Sequence, residues 1–244
     1  MRVSRGRPLL GRAGRIWACW LLAACVVVVV VLGAVFAGQT RADGFDNAVD
    51  SPFIRFFAGH NDLLLRLAFP GTLVPAIAIS VVVAGCCLLA GRLNGAVLAL
   101  TTVPAATALD DELLKRVFDR TYLGALSFPS GHTTSIVSLT AMLAVLLLVP
   151  PQPRRTRAAR AAGAARAAGV LVVAAGCAIS AVVASAVIGL RWHYFTDTVA
   201  GAAVGIGTVC ALALILDLVL FHNPRRSAVA TIQASSRASS RQAS

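Results

Sequence analysis

Two apolar runs meet at one polar segment in "SAVIGLRWHYFTDTVAGAAVGIG", residues 185–207. The residues on either side of "RWHYFTD" are almost all small or aliphatic. A helix needs about 20 apolar residues to cross the hydrocarbon core of a bilayer, and both runs extend to that length. The stretch therefore predicts two membrane-spanning helices joined by a polar turn.

The whole chain has the composition of a membrane protein. Of its 244 residues, 58% are hydrophobic and 13% charged, whereas about a quarter of a soluble domain is charged. Apolar runs of spanning length occupy residues 16–38, 67–90, 93–109, 133–149, 169–190 and 198–221. The sequence predicts an all-α polytopic bundle of six transmembrane helices.

The first apolar run follows a cluster of arginines, which is also typical of a signal peptide. The run is longer than the 7–15 apolar residues of a cleaved signal, and the sequence after it makes a poor cleavage site. We interpret it as a retained span, with removal as the alternative.

The net charge of +12 is unevenly distributed. If the N-terminus is cytoplasmic, most basic residues fall on inside segments and the acidic residues, apart from Asp217, on outside segments. This predicts a multi-pass plasma-membrane protein with both termini in the cytoplasm. The basic ends should contact anionic lipid headgroups, not nucleic acid. We expect a basic N-terminus at 1–15, a membrane domain at 16–222 and a disordered tail at 223–244.

The first outside segment should contain a short amphipathic helix on the periplasmic membrane surface. Asp50 or Ser51 can cap it, with Pro52 in its first turn. Apolar residues then recur at roughly helical spacing, at Phe53, Phe56, Phe57, Leu64 and Leu67.

The second outside segment holds Lys115, the only lysine in the chain, and Arg120. A turn between them can aim both at one anion. "FPSGHTTS" follows, where Ser130 and Gly131 open the fourth span and His132 lies in its first turn. Unpaired N–H groups at a helix start bind anions, although plain capping is an equal alternative for this stretch.

The third outside segment contains Arg191, His193 and Asp197. Because His193 and Asp197 are four apart, they share a helix face, and a carboxylate on one ring nitrogen leaves the other nucleophilic. Spans four and six run in the same direction, so the second and third segments open on one membrane face. Cations, helix N–H groups and two histidines suit phosphoryl transfer, without an evident set of metal ligands.

These blocks resemble the type 2 phosphatidic acid phosphatases, or lipid phosphate phosphatases, which share a core with the vanadium haloperoxidases. The family's Pro-Ser-Gly-His block is present at residues 129–132, and the end of its third block at His193 and Asp197. Arg120, five residues after Lys115, matches an arginine that many members carry.

The sequence departs from the family pattern at two places. Tyr122 and Leu123 replace Arg-Pro in the first block, and Ala186 and Val187 replace Ser-Arg in the third. Arg191 is close enough in sequence to His193 to supply the missing phosphate contact, which is our hypothesis.

The resemblance implies a mechanism without a metal ion or cofactor. His193 would attack phosphorus and form a phosphohistidine, Asp197 would orient it, and His132 would protonate the leaving oxygen and then activate water. The phosphoryl oxygens would be held by Lys115, Arg120, Ser130, Gly131 and Arg191.

We therefore expect an integral membrane phosphatase that acts on a lipid phosphate or (poly)prenyl diphosphate at the outer face. A non-catalytic lipid-phosphate-binding protein of the same fold is the alternative. A transporter fits less well, since no ionisable residue lies at mid-bilayer depth. The individual substrate and the oligomeric state do not follow from the sequence.

Overall fold

The protein is a helical bundle in a computed structural model that describes residues 8–149 and 157–221. Residues 1–7 of the predicted basic N-terminus and the predicted disordered tail at 223–244 lie outside the described residues. The predicted all-α polytopic architecture is confirmed.

Nine α-helices follow one another within residues 8–149 and 157–221. They are α1 (Arg12–Phe36), α2 (Gly44–Phe56), α3 (Asn61–Ala68), α4 (Leu73–Leu89), α5 (Leu93–Ala108), α6 (Lys115–Phe118), α7 (Gly131–Leu148), α8 (Arg157–Gly189) and α9 (Phe195–Phe221). A 3₁₀ turn, Phe69–Gly71, joins α3 to α4, and a π turn, Leu109–Leu114, joins α5 to α6. Strands β1 (Thr121–Tyr122) and β2 (Ala125–Leu126) form a small antiparallel hairpin.

In the described part of the chain, five helical stretches are long and apolar enough to cross a membrane. They are Arg12–Phe36, Asn61–Leu89, Gly131–Leu148, Gly163–Gly189 and Phe195–Val219. The predicted third span is α5, whose 16 residues measure about 24 Å at 1.5 Å per residue, short of a bilayer core about 30 Å thick. The sixth crossing therefore remains a prediction at α5.

The segment predicted to lie outside forms two helices, so the predicted single helix starting near Pro52 is wrong. Helix α2 begins at Gly44, because the Asp43 side chain accepts a hydrogen bond from the Asp46 N–H at 2.7 Å and caps it earlier. Pro52 lies inside α2. Asp50 is buried and accepts a hydrogen bond from the Phe195 N–H at 3.1 Å, so it faces α9 instead of capping α2.

Helices α7 and α9 pack closely and in parallel because two glycines face α7. A Cβ atom on Gly201 would lie 2.5 Å from the Ser130 carbonyl oxygen, and one on Gly205 2.8 Å from the Thr134 carbonyl oxygen. The two helices therefore begin at the same end of the bundle, as the predicted alternation of spans requires.

Asp217 organises the opposite end of the bundle. Its buried carboxylate accepts hydrogen bonds from the N–H groups of Leu9 at 2.7 Å and Leu10 at 3.0 Å, and it lies 3.6 Å from Arg15 Nε. The residues just before α1 thus lie beside the end of α9, far from the starts of α7 and α9.

Candidate active site

A cavity of about 790 Å³ opens where α7 and α9 begin, between α4, α5, the π turn and the hairpin. Its lining combines polar side chains with apolar ones, among them Leu73, Ile77 and Pro104. The predicted site residues that line this cavity are Lys115, Gly131, His132, Arg191 and His193.

The two predicted histidines face this cavity from different elements. His132 is in the first turn of α7, and His193 is in the turn between α8 and α9. Their ring centroids are 6.4 Å apart, and His132 also lies 5.4 Å from the Trp192 ring. Two titratable rings on one cavity can act on the same substrate atom, one as nucleophile and one as acid.

The ring of His193 is oriented by a backbone carbonyl. Its Nδ1 lies 2.8 Å from the Ser127 carbonyl oxygen, whereas Asp197 Oδ2 is 4.0 Å away, beyond hydrogen-bond distance. The predicted direct bond to Asp197 is therefore not formed. Because a carbonyl can only accept, Nδ1 carries the hydrogen and Nε2 keeps its lone pair.

Burial keeps His193 neutral. Its side chain is 9% exposed, and removal from water lowers its pKa to about 3 against the raising effect of the Ser127 hydrogen bond. The positive charges of Lys115 and of a protonated His132 lower this pKa further. A neutral imidazole with a free Nε2 is a nucleophile at neutral pH.

Asp197 and Arg120 belong to a buried network behind the cavity. Asp197 accepts hydrogen bonds from the Tyr194 N–H at 2.9 Å and from Arg120 Nη1 at 2.6 Å. Arg120 is completely buried and also donates to Asp46 at 2.5 Å and to Thr196 Oγ1 at 2.7 Å. It does not line the cavity, so the structure does not bring it to the predicted phosphate position.

Lys115 places a positive charge at the start of α7. Its Nζ would be 3.5 Å from a Cβ on Gly131, which shows how closely it approaches the helix N-terminus. It pairs with Asp111 Oδ1 at 2.6 Å and with Asp110 Oδ1 at 3.5 Å. Burial lowers the pKa of Lys115, but the Asp110 and Asp111 carboxylates outweigh burial and raise it. Lys115 is thus held as a cation.

Ser130 is buried and does not line the cavity. Its N–H donates to the Asp197 carbonyl oxygen at 3.0 Å, and its Oγ accepts from Thr133 Oγ1 at 3.2 Å. The structure therefore uses this predicted phosphate ligand to join the start of α7 to the first turn of α9.

The positions that depart from the family pattern have different surroundings. Tyr122 lines the cavity beside Arg191. Ala186 and Val187 are buried in an apolar cluster with Leu64. Arg191, whose φ of 59° lies in the left-handed region, reaches the cavity from the α8–α9 turn.

Sequence reasoning missed several residues of this site. The Ser127 carbonyl has no side-chain signature, and Asp46 lies 74 positions from its partner Arg120. Among the described residues, no group of three or more His, Cys, Asp or Glu side chains is arranged to hold a metal ion.

Comparison with known proteins matches the PAP2 superfamily model to residues 97–219, a segment that contains every predicted site residue. The chain belongs to the PAP2 superfamily. The crystal structure of the first transmembrane PAP2 type phosphatidylglycerolphosphate phosphatase from Bacillus subtilis is also similar, with a TM-score of 0.60 and 15% identity over 79% of this chain and 94% of that one. At this identity the likeness shows the shared fold. Searched against curated proteins, the sequence has no significant match.

The predicted resemblance is confirmed at the level of the superfamily and of a multi-pass membrane fold. In this PAP2 protein, residues from the three sequence blocks lie together in space. His132, from the second block, and His193, from the third, line the same cavity as Lys115 from the first.

Proposed function

We propose that this PAP2 protein is an integral membrane phosphatase that hydrolyses a lipid phosphate or (poly)prenyl diphosphate through a phosphohistidine on His193. The observation that supports it is the convergence of His193, His132, Lys115 and Arg191 on one cavity. These groups match the needs of phosphoryl transfer, which are a nucleophile, an acid and positive charge.

In the first step, Nε2 of His193 attacks phosphorus while the bond from phosphorus to the leaving oxygen breaks. Protonated His132 donates its proton to that oxygen, so a lipid alcohol leaves uncharged and a lipid monophosphate leaves with one negative charge fewer. In the second step, His132 takes a proton from water, the hydroxide attacks phosphorus, and the P–N bond breaks. Inorganic phosphate is released and His193 is regenerated.

Positive charge around the phosphoryl group comes from three sources. Lys115 and Arg191 line the cavity, and so does Gly131, the residue at which α7 and its unpaired first N–H groups begin. Charge that develops on the equatorial oxygens is stabilised by donors that are already in place.

Asp197 and Arg120 act indirectly in this proposal. Asp197 accepts a hydrogen bond from the Tyr194 N–H and so fixes the turn that carries His193, while Arg120 pairs with both Asp197 and Asp46. They are positioning residues that fix the nucleophile without touching the substrate.

The apolar part of the cavity lining supports an amphiphilic substrate. Leu73 and Ile77 of α4 line the same cavity as the polar groups, so a phosphate and an attached apolar chain can bind together. The Bacillus subtilis relative is a phosphatidylglycerolphosphate phosphatase, and this lipid belongs in any panel of candidate substrates.

The buried apolar environment of Val187, where the family has an arginine, favours a second candidate function. With one phosphate ligand replaced, the protein would bind lipid phosphates without turnover.

Phosphate release by purified protein separates the two candidates. We expect release from at least one of phosphatidic acid, phosphatidylglycerolphosphate and a polyprenyl diphosphate, and we expect His193→Ala to abolish it. His60→Ala is the matched control, because His60 is exposed and the hydrogen bond described for its ring is with the Ala58 carbonyl oxygen.

The intermediate gives an independent readout. A radiolabelled lipid phosphate should leave an acid-labile, alkali-stable label on the wild type but not on His193→Ala. Full turnover by His193→Ala would contradict the mechanism. Binding without release by the wild type would support the second candidate.

A further inference from the structure

The backbone at the start of α9 is bonded to three different buried carboxylates. The N–H groups of residues 194–196 donate, in order, to Asp197 at 2.9 Å, to Asp50 at 3.1 Å and to Asp46 at 3.0 Å. N–H groups at a helix start have no partner inside the helix, so a buried start depends on acceptors from outside. His193 directly precedes these groups, and the three carboxylates therefore hold the turn that carries the proposed nucleophile.

Two of the three acceptors come from helix α2. Asp46 and Asp50 are four residues apart and so lie on one face of this helix. Helix α2 precedes residues 97–219, the segment that matches the PAP2 superfamily model, so the family match assigns it no role. Asp50 has no step in the proposed mechanism, although it bonds the backbone two residues after His193.

Arg120 supplies the positive charge of this cluster of carboxylates. It donates from Nη2 to Asp46 at 2.5 Å and from Nη1 to Asp197 at 2.6 Å, and its Nε is buried without a hydrogen-bond partner among the described residues. In the described part of the chain, no cation forms an ion pair with Asp50. Ionisation of all three carboxylates would leave an excess of two buried negative charges, which is costly.

We propose that Asp50 is a positioning residue for His193, and that it joins α2 to the start of α9 as a neutral carboxylic acid. The inference rests on the proposed function, because it takes His193 as the nucleophile. A neutral acid still accepts the hydrogen bond from the Phe195 N–H, and it adds no third negative charge beside Asp46 and Asp197. When Asp50 loses its proton, repulsion from these two carboxylates weakens the contact of α2 with α9.

The surroundings of Asp50 favour its neutral form. The titratable and charged side chains that face it are Asp46 of α2, Asp197 of α9, and Arg120 and Tyr122 at the start of the hairpin. Residues 181–186 of α8, across a groove from α2, include no titratable side chain. Burial, followed by the Asp46 carboxylate, raises the pKa of Asp50 to about 7, against the lowering effects of the Phe195 N–H and Arg120. Asp50 therefore loses its proton as pH rises through neutrality.

Asp50→Asn mimics the neutral acid, because its amide oxygen can accept the same hydrogen bond at every pH. The substrate is phosphatidic acid, phosphatidylglycerolphosphate or a polyprenyl diphosphate, whichever the wild type hydrolyses. At pH 6 we expect kcat of the variant and of the wild type to agree within about twofold. At pH 8.5, where Asp50 is ionised, the variant should be at least about threefold faster, since a displaced nucleophile lowers kcat. KM should change by less than about twofold, because Asp50 does not line the cavity.

Two other substitutions serve as comparisons. Asp50→Leu removes the acceptor and leaves the Phe195 N–H buried without a partner, so its kcat should fall at least about tenfold at both pH values. Asp62→Asn makes the same charge change as Asp50→Asn at an exposed position in the first turn of α3. Its kcat relative to the wild type should be the same at pH 6 and at pH 8.5. Asp197 and His132 are present in all these proteins, so their own titration largely cancels in each ratio.

Hydrogen exchange reports on the start of α9 without turnover. Exchange of the N–H groups of residues 194–196 in detergent is followed by mass spectrometry, and the wild type is compared with Asp50→Asn at equal pH. At pH 8.5 the wild type should exchange at least about fivefold faster than the variant, because its α2 contact is weakened. At pH 6 the two proteins should agree within about twofold.

The outcomes distinguish this inference from the proposed function. Identical exchange of the two proteins at pH 8.5 would overturn the inference, whatever the activity. An active wild type whose kcat ratio to Asp50→Asn does not change with pH would also overturn it, and the phosphatase function would stand. If exchange behaves as expected but the wild type hydrolyses no lipid phosphate, Asp50 holds the turn and the proposed phosphatase function is wrong.

Discussion

At the scale of single residues, the neutrality of His193 decides what the cavity can do. The ring is almost completely removed from water, and its Nδ1–H donates to the Ser127 carbonyl oxygen. Together these features give a neutral imidazole with one defined free nitrogen, so the proposed nucleophile needs no base to activate it.

This burial predicts a pH dependence of stability. The pKa of His193 is about 3 in the folded protein and about 6.5 in the unfolded chain, so the unfolded chain binds more protons between these values. The stabilising contribution is present above pH 6.5 and is lost as pH falls toward 3. We expect the wild type to lose about 2 kcal/mol more than His193→Gln between pH 7 and pH 5.

Unfolding free energies of both proteins in mixed micelles at the two pH values measure this difference. Asp110, whose pKa burial raises to about 6 although Lys115 opposes it, acts in the opposite direction. It is present in both proteins and cancels in the comparison. An identical pH dependence of the two proteins would show that His193 is not buried as a neutral ring.

Arg120 predicts a second residue-scale effect. Its guanidinium lies between the rings of Phe36 and Tyr194, 4.3 and 4.2 Å from their centroids, and pairs with Asp46 and Asp197. Arg120→Leu leaves two buried carboxylates without a cation, which should lower the free energy of unfolding by about 3–5 kcal/mol.

Arg116→Leu is the matched control for Arg120→Leu. Arg116 and Glu112 form a pair in which both side chains are 67% exposed, and such pairs contribute at most about 1 kcal/mol. Unfolding in mixed micelles gives both values. Equal effects of the two substitutions would contradict the role of Arg120 as a buried counter-ion.

At the scale of elements, the parallel packing of α7 on α9 aligns the two halves of the site. The Ser130 N–H donates to the Asp197 carbonyl oxygen, and Thr134 Oγ1 donates to the Gly201 carbonyl oxygen at 3.2 Å. Helix α2 adds a third contact. The Asp46 carboxylate accepts a hydrogen bond from the Thr196 N–H at 3.0 Å and so helps to cap the N-terminus of α9. The histidines converge because these helix starts are joined.

Gly201→Ala should therefore impair the site from a distance. The added Cβ would lie 2.5 Å from the Ser130 carbonyl oxygen, a backbone atom that cannot move without shifting the start of α7. We expect kcat for lipid phosphate hydrolysis to fall at least about tenfold, since small displacements of catalytic groups carry large costs.

Gly85→Ala provides the control for this change. It makes the same substitution within α4, where a Cβ would meet nothing within 4 Å. Initial rates in mixed micelles compare the two variants. Wild-type kcat in Gly201→Ala would show that the glycine contact does not position the site.

At the scale of the whole molecule, the cavity and the buried Asp217 lie at opposite ends of the bundle. The polar cavity is at the starts of α7 and α9, and Asp217 joins the end of α9 to residues 9 and 10. The charge distribution along the sequence predicts that the cavity end faces outward.

This orientation is testable with introduced cysteines. Leu123, at the tip of the hairpin, is 85% exposed, and Ala90 is exposed in the turn between α4 and α5 at the other end. In intact cells, a membrane-impermeant maleimide should label Leu123→Cys, whereas Ala90→Cys should require permeabilisation. The parent protein, with its native cysteines, gives the background. The reverse labelling pattern would place the cavity on the cytoplasmic side.

Hydropathy and block order in the sequence determined the membrane class, the helical architecture, the superfamily and the end of the bundle that holds both histidines. These features depend on local composition and on the alternation of spans, which a sequence displays directly. The predicted cap at Asp50 was wrong because Asp43 offers an earlier cap and Asp50 has a partner in α9.

The long-range contacts of the fold, in contrast, determine which groups hold the proposed nucleophile and which cations line the cavity. His193 is held by a carbonyl 66 positions away, and Arg120 is paired with Asp46 across 74 positions. Backbone carbonyls are the same at every residue, and long-range ion pairs leave no periodic pattern. For this reason Arg120 resembled a phosphate ligand in the sequence but is a buried counter-ion in the fold.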